Sequence, residues 1–345
     1  MRKLLIFNLE TDSQSPVLAV GIEWILELSK HFESTQVVST HVGDKSQLRN
    51  IKVIELGGGN LPKRLLAIIK LTLLSLPVLM DKSSYLIFHH MSPRTAVFPG
   101  LLFRFFGIRQ GLWYSHASRP MSLKIAIRIV DQIFTSTKQS MPIGNTKTNY
   151  VGHGIPVNKF RMFSDTGKHM GKVLYVGRIS KVKRLDVLIR EIAKLKVHKD
   201  IVFVGPEYKS AYARELQALA QEQGVELVIR PSVSYGEVPK LMASFKYFYS
   251  GTKGSVDKVA LEAALSGCFV ITMEQITIDL TGMSFAWDVI RKGIPQTISG
   301  QIQLLESLEA KECQKIRRNI IEDCQDKNNL TNTVSKIVTV LKEQK

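Results

Sequence analysis

Cysteine is scarce in this chain: 345 residues contain only Cys268, Cys313 and Cys324, with no CxxC and no metal-ligand spacing. That excludes a disulfide scaffold or a cysteine-held zinc, and it fits a reduced, cytoplasmic setting. No Asp-X-Asp motif is present and the carboxylates do not cluster along the chain, so no metal is expected. The opening MRKLLIF begins like a signal peptide, but its apolar run stops at Asn8, short of an h-region, and it reads as the first core strand. The most apolar stretch, Leu61 to Met80, carries Lys63, Arg64, Lys70 and Pro77 and is too short and too charged for a bilayer span. Acids are also in deficit: 30 Asp and Glu face 47 Lys and Arg, a formal net charge of +17. Such an excess predicts an anionic partner, whether nucleotide, nucleic acid, acidic substrate or negative membrane surface. The excess is regional too, since from Arg94 to Lys147 the only acid is Asp131.

What is present is an alternation. Short apolar runs at Lys3–Phe7, Gln36–Ser39, Lys52–Leu56, Tyr85–His89, Gly111–Ser115 and Gln132–Ser136 alternate with helical patterns such as Ala19–Phe32 and Ala96–Phe106. The second half repeats the rhythm, with strands expected at 172–176, 200–204, 226–229, 247–249 and 269–271. Strands alternating with helices predict doubly wound parallel sheets covered on both faces. Between the halves, NYVGHGIPVNKFR (Asn149 to Arg161) reads as loop chemistry, followed by the polar segment Ser164 to Gly171. Two readings stand for Leu61 to Met80: a helix buried against the sheet, or a basic, apolar helix lying in a membrane interface.

Lys172 to Arg190 organises the second half. Val173 to Val176 form a strand, Gly177 opens a turn, and Leu185, Leu188 and Ile189 mark the apolar face of the following helix. Helix N-termini expose unpaired N–H groups at the positive end of the dipole, and Arg178, Lys181, Lys183 and Arg184 crowd this one. A diphosphate site and a solvated basic loop both satisfy that pattern. In Ser250 to Thr272, Gly251 and Gly254 loosen a loop, Asp257 is placed to cap a helix, and Glu262 falls inside that helix near its start. Glu262 either complements the dipole and pairs with Lys258, or accepts hydrogen bonds from a sugar diol.

VLYVGRISKVKRLDVLI, VFVGPE and LEAALSGCFVI resemble, in order and spacing, the second domain of family 4 retaining glycosyltransferases with the GT-B fold. In the first half, WYSHASRP, IVDQIFTST and VGHGIPVNKF are similar to the corresponding family segments, though more weakly. The resemblance covers most of the chain. It implies an α/β GT-B fold of two Rossmann-like domains facing a central cleft: an acceptor-binding domain at 1–160, a nucleotide-sugar-binding domain at 161–328, and a last helix at 329–345 crossing back to the first. It implies a hexosyltransferase of polysaccharide biosynthesis that uses a nucleotide-sugar as co-substrate, without cofactor or metal.

The resemblance assigns Arg178 and Lys183 to the donor diphosphate, beside Gly177, and Glu262 to the ribose. The loop Gly254, Ser255, Val256, Asp257 and Lys258 would follow the diphosphate and sugar, and Val233 would lie near the base. His116 would project toward the transferred sugar, while His90 and Arg119 are candidates on the acceptor side. One departure stands out: the family's second glutamate, eight positions before Glu262, is Gly254 here. A catalytically impaired binding protein, a nucleotide-sugar epimerase and a basic nucleic-acid-binding module are the alternatives. The last lacks interleaved aromatic platforms, so no nucleic acid is expected. The expected partners are a nucleotide-sugar, a glycan or lipid-linked acceptor and an anionic membrane surface, the last placing the chain on the inner face of the cytoplasmic membrane.

Overall fold

In the computed structural model the chain forms two α/β units, Met1–Gly154 with Leu330–Lys345, and Ile155–Asn329. The structure describes residues 2–343 except 17, 58–60, 117, 142, 145, 162–168, 197–199 and 291–292. Most of the polar segment 164–171 therefore lies outside the described residues, as do the side chains of Lys63 and Arg64.

The first unit runs β1 (Lys3–Thr11), α1 (Val20–Ser29), β2 (Thr35–Val42), β3 (Lys52–Glu55), α2 (Leu61–Met80), β4 (Tyr85–His90), α3 (Pro93–Val97), α4 (Gly100–Phe105), β5 (Gln110–Trp113), α5 (Met121–Ile129), β6 (Gln132–Thr135) and β7 (Thr148–Tyr150). Its sheet is parallel, in the order β3-β2-β1-β4-β5-β6-β7. Leu4, Leu5, Ile6 and Phe7 are all buried, because both faces of a parallel sheet are covered and its strands need apolar residues on each. β7 overlaps the start of the segment read from sequence as loop, because Thr148, Asn149 and Tyr150 offer no apolar run. The helix expected over 96–106 is two short ones, interrupted at Pro99, which has no N–H to give a continuing helix.

The second unit runs α6 (Val157–Arg161), β8 (His169–Val176), a 3-10 turn (Lys181–Lys183), α7 (Leu185–Ala193), β9 (Asp200–Val204), α8 (Ala211–Glu222), β10 (Glu226–Arg230), α9 (Val238–Ala243), β11 (Phe245–Tyr249), α10 (Lys258–Leu265), β12 (Phe269–Ile271), α11 (Gln275–Thr281), α12 (Ser284–Ile290), α13 (Ile298–Glu306) and α14 (Ala310–Asn328). Its five parallel strands are ordered β10-β9-β8-β11-β12. The order reverses between β8 and β11. Crossovers leave these two neighbours in opposite directions, which opens a crevice at their carboxyl ends.

The chain passes between units at Gly154 and Ile155, not at 160, because Ile155, Val157 and Phe160 belong to the second unit's core. Trp24 accounts for Gly154: its Nε1 donates to the Gly154 carbonyl at 3.1 Å, and a Cβ on Gly154 would lie 2.2 Å from the indole. The last helix, α15 (Leu330–Lys342), is part of the first unit. It buries Val334, Ile337 and Leu341 among Trp24, Phe88 and Phe134, and Thr333 Oγ1 donates to the Val151 carbonyl at 3.0 Å. α2 buries Leu71, Ser75 and Val78, as the buried-helix reading expects, and leaves Leu66, Ile69, Leu73, Leu76 and Met80 exposed.

Candidate donor site of the second unit

The crevice between β8 and β11 gathers most of the sequence candidates. β8 is followed by Gly177, whose φ of +144° only glycine adopts without strain, and whose N–H donates to the Val204 carbonyl at 3.0 Å. Close approach of the next strand reinforces that turn, since a Cβ on Gly205 would sit 1.8 Å from the Gly177 carbonyl oxygen. Arg178 is exposed just beyond, its carbonyl accepting from the Tyr175 hydroxyl at 2.8 Å. Burial, and then the charge of Asp257, push the Tyr175 phenol well above its ordinary range, so it remains a donor.

Lys183 and Asp257 meet directly, Nζ to Oδ1, at 2.7 Å, and the same ammonium donates to Thr252 Oγ1 at 3.0 Å. Asp257 occupies the N-cap of α10, but its carboxylate makes no cap bond; the expectation that it caps the helix fails because Lys183 and Thr252 claim its oxygens. The helix expected from about 184 begins after a 3-10 turn, with Arg184 left-handed at φ +53°. Glycine at 251 lets the β11 loop pass close to that turn, where a Cβ would stand 2.4 Å from the Lys183 carbonyl oxygen. Gly254 is exposed on the same loop, and Ser255, Val256 and Lys258 are half-buried.

Glu262 is 3% exposed inside α10. Burial raises its carboxyl to about 7, against the opposing influences of Lys258 and of the Tyr235 hydroxyl, which donates to Oε1 at 3.0 Å. Tyr235 lies two residues beyond Val233, so this bond ties the β10 loop to the acid. Sequence reasoning missed Tyr235, Thr252 and Tyr175. Their signal is a polar atom at a strand end, and only folding reveals which acid or carbonyl it meets.

The remaining candidates lie in the first unit. His90 ends β4 opposite Asn8 in the register, at that sheet's own reversal point, and is buried with Nδ1 3.0 Å from Asn8 Oδ1 and its ring against Trp24. His89 is wholly buried between Thr95 Oγ1 and Gln110 Oε1 at 3.0 and 3.1 Å, and burial lowers it to about 4, which makes it a neutral core residue. His116 is exposed beyond β5, its Nδ1 accepting from the Ser118 N–H at 3.0 Å; Arg119 is exposed in the same loop. Among the described residues, two acids and a histidine of the first unit stand close together. Glu10 and His41 are register partners on β1 and β2, and with Asp12 they bring ligand atoms within 4.8 Å of one another. Glu10 and Asp12 are near neighbours in sequence, and only the parallel pairing of β1 with β2 brings the distant His41 to them.

The whole chain is similar in structure to glycosyltransferases. A glycosyltransferase from Rickettsia africae superimposes with a TM-score of 0.72 at 12% identity, over 99% of this chain and 98% of that one. HepE from Anabaena, in complex with UDP-glucose, gives 0.72 at 15% identity over 99% of both chains. WaaG, a glycosyltransferase involved in lipopolysaccharide biosynthesis, gives 0.62 at 12% identity over 99% of this chain and 100% of its own. At such identities the likeness establishes the fold, and the fold is GT-B. No protein-family model matches the chain, and no curated protein does.

Proposed function

We propose that this protein is a retaining, metal-independent glycosyltransferase that moves a sugar from a nucleotide-sugar to a lipid-linked or cell-surface glycan precursor. The observation that carries the reading is the β8–β11 crevice, where the Gly177 turn, the Lys183–Asp257 pair and buried Glu262 stand at one strand-order reversal. In the transfer, the bond between the sugar's anomeric carbon and the phosphate oxygen breaks and one to the acceptor oxygen forms. Negative charge grows on the departing diphosphate. Arg178 and Lys183 supply positive charge where it grows, in place of a divalent ion. Retention follows when the acceptor hydroxyl attacks from the leaving-group side and its proton passes to the departing phosphate oxygen. His116 then orients the sugar instead of acting as the base. Glu262 offers two oxygens to the two ribose hydroxyls.

The acceptor side favours a membrane. Among the described residues no helix is long and apolar enough to cross one. Yet α2 exposes Leu66, Ile69, Leu73, Leu76 and Met80, and α4 exposes Leu101 and Phe105. Leu71 and Val78 of α2 share a core cluster with Phe103 of α4, so both helices cover the same sheet face. Between Glu55 and Asp131 the only acid is Asp81. An apolar, cationic surface of this kind suits an anionic interface, and the reading places the protein on the inner face of the cytoplasmic membrane.

Calorimetry with UDP, GDP, ADP and their sugars, on wild type and Glu262→Ala, tests the donor half. One nucleotide class should bind and weaken in the variant. If none binds wild type, the glycosyltransferase reading fails and a binding protein replaces it.

A further inference from the structure

The strand order of the second sheet also orders the loops at its carboxyl end. Val233 and Tyr235 follow β10, Gly177 to Lys183 follow β8, residues 250–257 follow β11, and Thr272 to Glu274 follow β12. A nucleotide-sugar with its base by the β10 loop and its diphosphate at the β8 turn carries its sugar onward to the loops of β11 and β12. At that end stands Glu274. Its Oε2 accepts from the Gly254 N–H at 3.2 Å, and its Oε1 is 4.0 Å from Arg184 Nη1.

The carboxylate is held on a firm base. The Glu274 N–H donates to Thr272 Oγ1 at 3.2 Å. Gln301, 1% exposed, clamps the Thr272 backbone by accepting from its N–H at 3.1 Å and donating to its carbonyl at 2.7 Å. The residue whose N–H the carboxylate meets, Gly254, offers no side chain. Gly254 is left-handed at φ +68°, and a Cβ there would meet nothing within 4 Å. A side chain at 254 would be strained at that φ, so the carboxylate at this point of the loop is the one Glu274 brings from the end of β12. Glu274 keeps 21% of its side chain exposed, and among the described residues its carboxylate has only the Gly254 N–H as a hydrogen-bond donor, with Arg184 4.0 Å away, which leaves acceptor capacity for a ligand.

We propose that Glu274 binds the hydroxyls of the donor sugar and so separates recognition of the sugar from recognition of the nucleotide. This rests on the glycosyltransferase reading. The test compares each nucleoside diphosphate with its glucose nucleotide by calorimetry, on wild type, Glu274→Gln and Glu274→Asp, with thermal unfolding as a check on folding. In Glu274→Gln, affinity for the nucleotide-sugar should fall about tenfold or more, the scale of a hydrogen bond to a charged group, and that for the bare diphosphate less than about twofold. Glu274→Asp should fall between. Equal losses for both ligands would mean that Glu274 only shapes the loop and would overturn the inference, as would no loss for either. Failure of wild type to bind any nucleotide would instead sink the underlying reading, and this inference with it.

Discussion

Lys183 and Asp257 are 74 residues apart in sequence, yet their charged atoms lie 2.7 Å apart across the β8–β11 crevice. Thr252 Oγ1 donates to the second oxygen of Asp257 at 2.5 Å, so the carboxylate is held from two sides. The pair fixes the β11 loop against the turn that follows β8. It also sets an internal anion beside a cation that the proposed function gives to phosphate.

Lys183→Met should therefore act twice. Loss of a charge-assisted contact of about 1.5–3 kcal/mol predicts a fall in nucleoside diphosphate affinity of about ten- to a hundredfold. Asp257 would also lose its ion-pair partner, lowering the melting temperature. The double variant Lys183→Met, Asp257→Asn should recover thermal stability and stay weak in binding. Calorimetry and thermal unfolding separate the two effects, and recovery of binding in the double variant would remove Lys183 from the phosphate site.

Glu262 gives a pH dependence whose sign follows from its burial. Its folded value of about 7 lies above the ordinary 4.5, so between those limits the folded protein holds a proton that the unfolded chain has released. Its contribution to stability is most favourable below pH 4.5, declines as pH rises toward 7, and is constant above that. Nucleotide binding runs the other way, because the ionised carboxylate accepts from both ribose hydroxyls. Urea unfolding at pH 5 and 7.5 should show the first trend and calorimetry at pH 6 and 8 the second, and Glu262→Gln should flatten both.

The strands of the second unit were legible because a buried parallel strand needs an unbroken apolar run, as in Ile201 to Val204 or Phe269 to Ile271. Gly177, Lys183 and Glu262 were legible as types suited to a turn, a cation site and an acceptor of diols. Their partners were not. Thr252, Tyr235 and Glu274 acquire meaning only from strand order, which brings the ends of β8, β10, β11 and β12 to one edge. Asp257 shows the limit most clearly: its position before α10 predicts a cap, and tertiary pairing with Lys183 overrides that local preference.

Gly205→Ala tests the turn without touching a charge. The new Cβ would lie 1.8 Å from the Gly177 carbonyl oxygen, a backbone atom that cannot swing aside, so β8 and β9 must separate at their ends. Overpacking of this kind costs about 1–3 kcal/mol. The variant should melt lower and bind nucleotide more weakly even when folded, since the Arg178 turn moves with Gly177. Gly224→Ala, where a Cβ meets nothing within 4 Å but φ is +64°, should lose stability alone.

The α2 and α4 surface makes the last prediction. Leu73 and Phe105 are 60% and 84% exposed, so replacing them removes little from the core, while their burial in an acyl boundary is worth about 1.5–3 kcal/mol each. Wild type should float with vesicles containing anionic lipid at low salt and release as salt screens the cationic face. Leu73→Ser with Phe105→Ser should lower flotation at least about tenfold, on the cost of two lost apolar anchors, with an unchanged melting temperature. Nucleotide affinity should also stay unchanged, because the residues proposed to hold the nucleotide, Arg178, Lys183 and Glu262, all lie in the second unit. Equal flotation of wild type and the double variant would show that these helices do not meet the lipid, and failure of wild type to float at low salt would remove the membrane from the reading altogether.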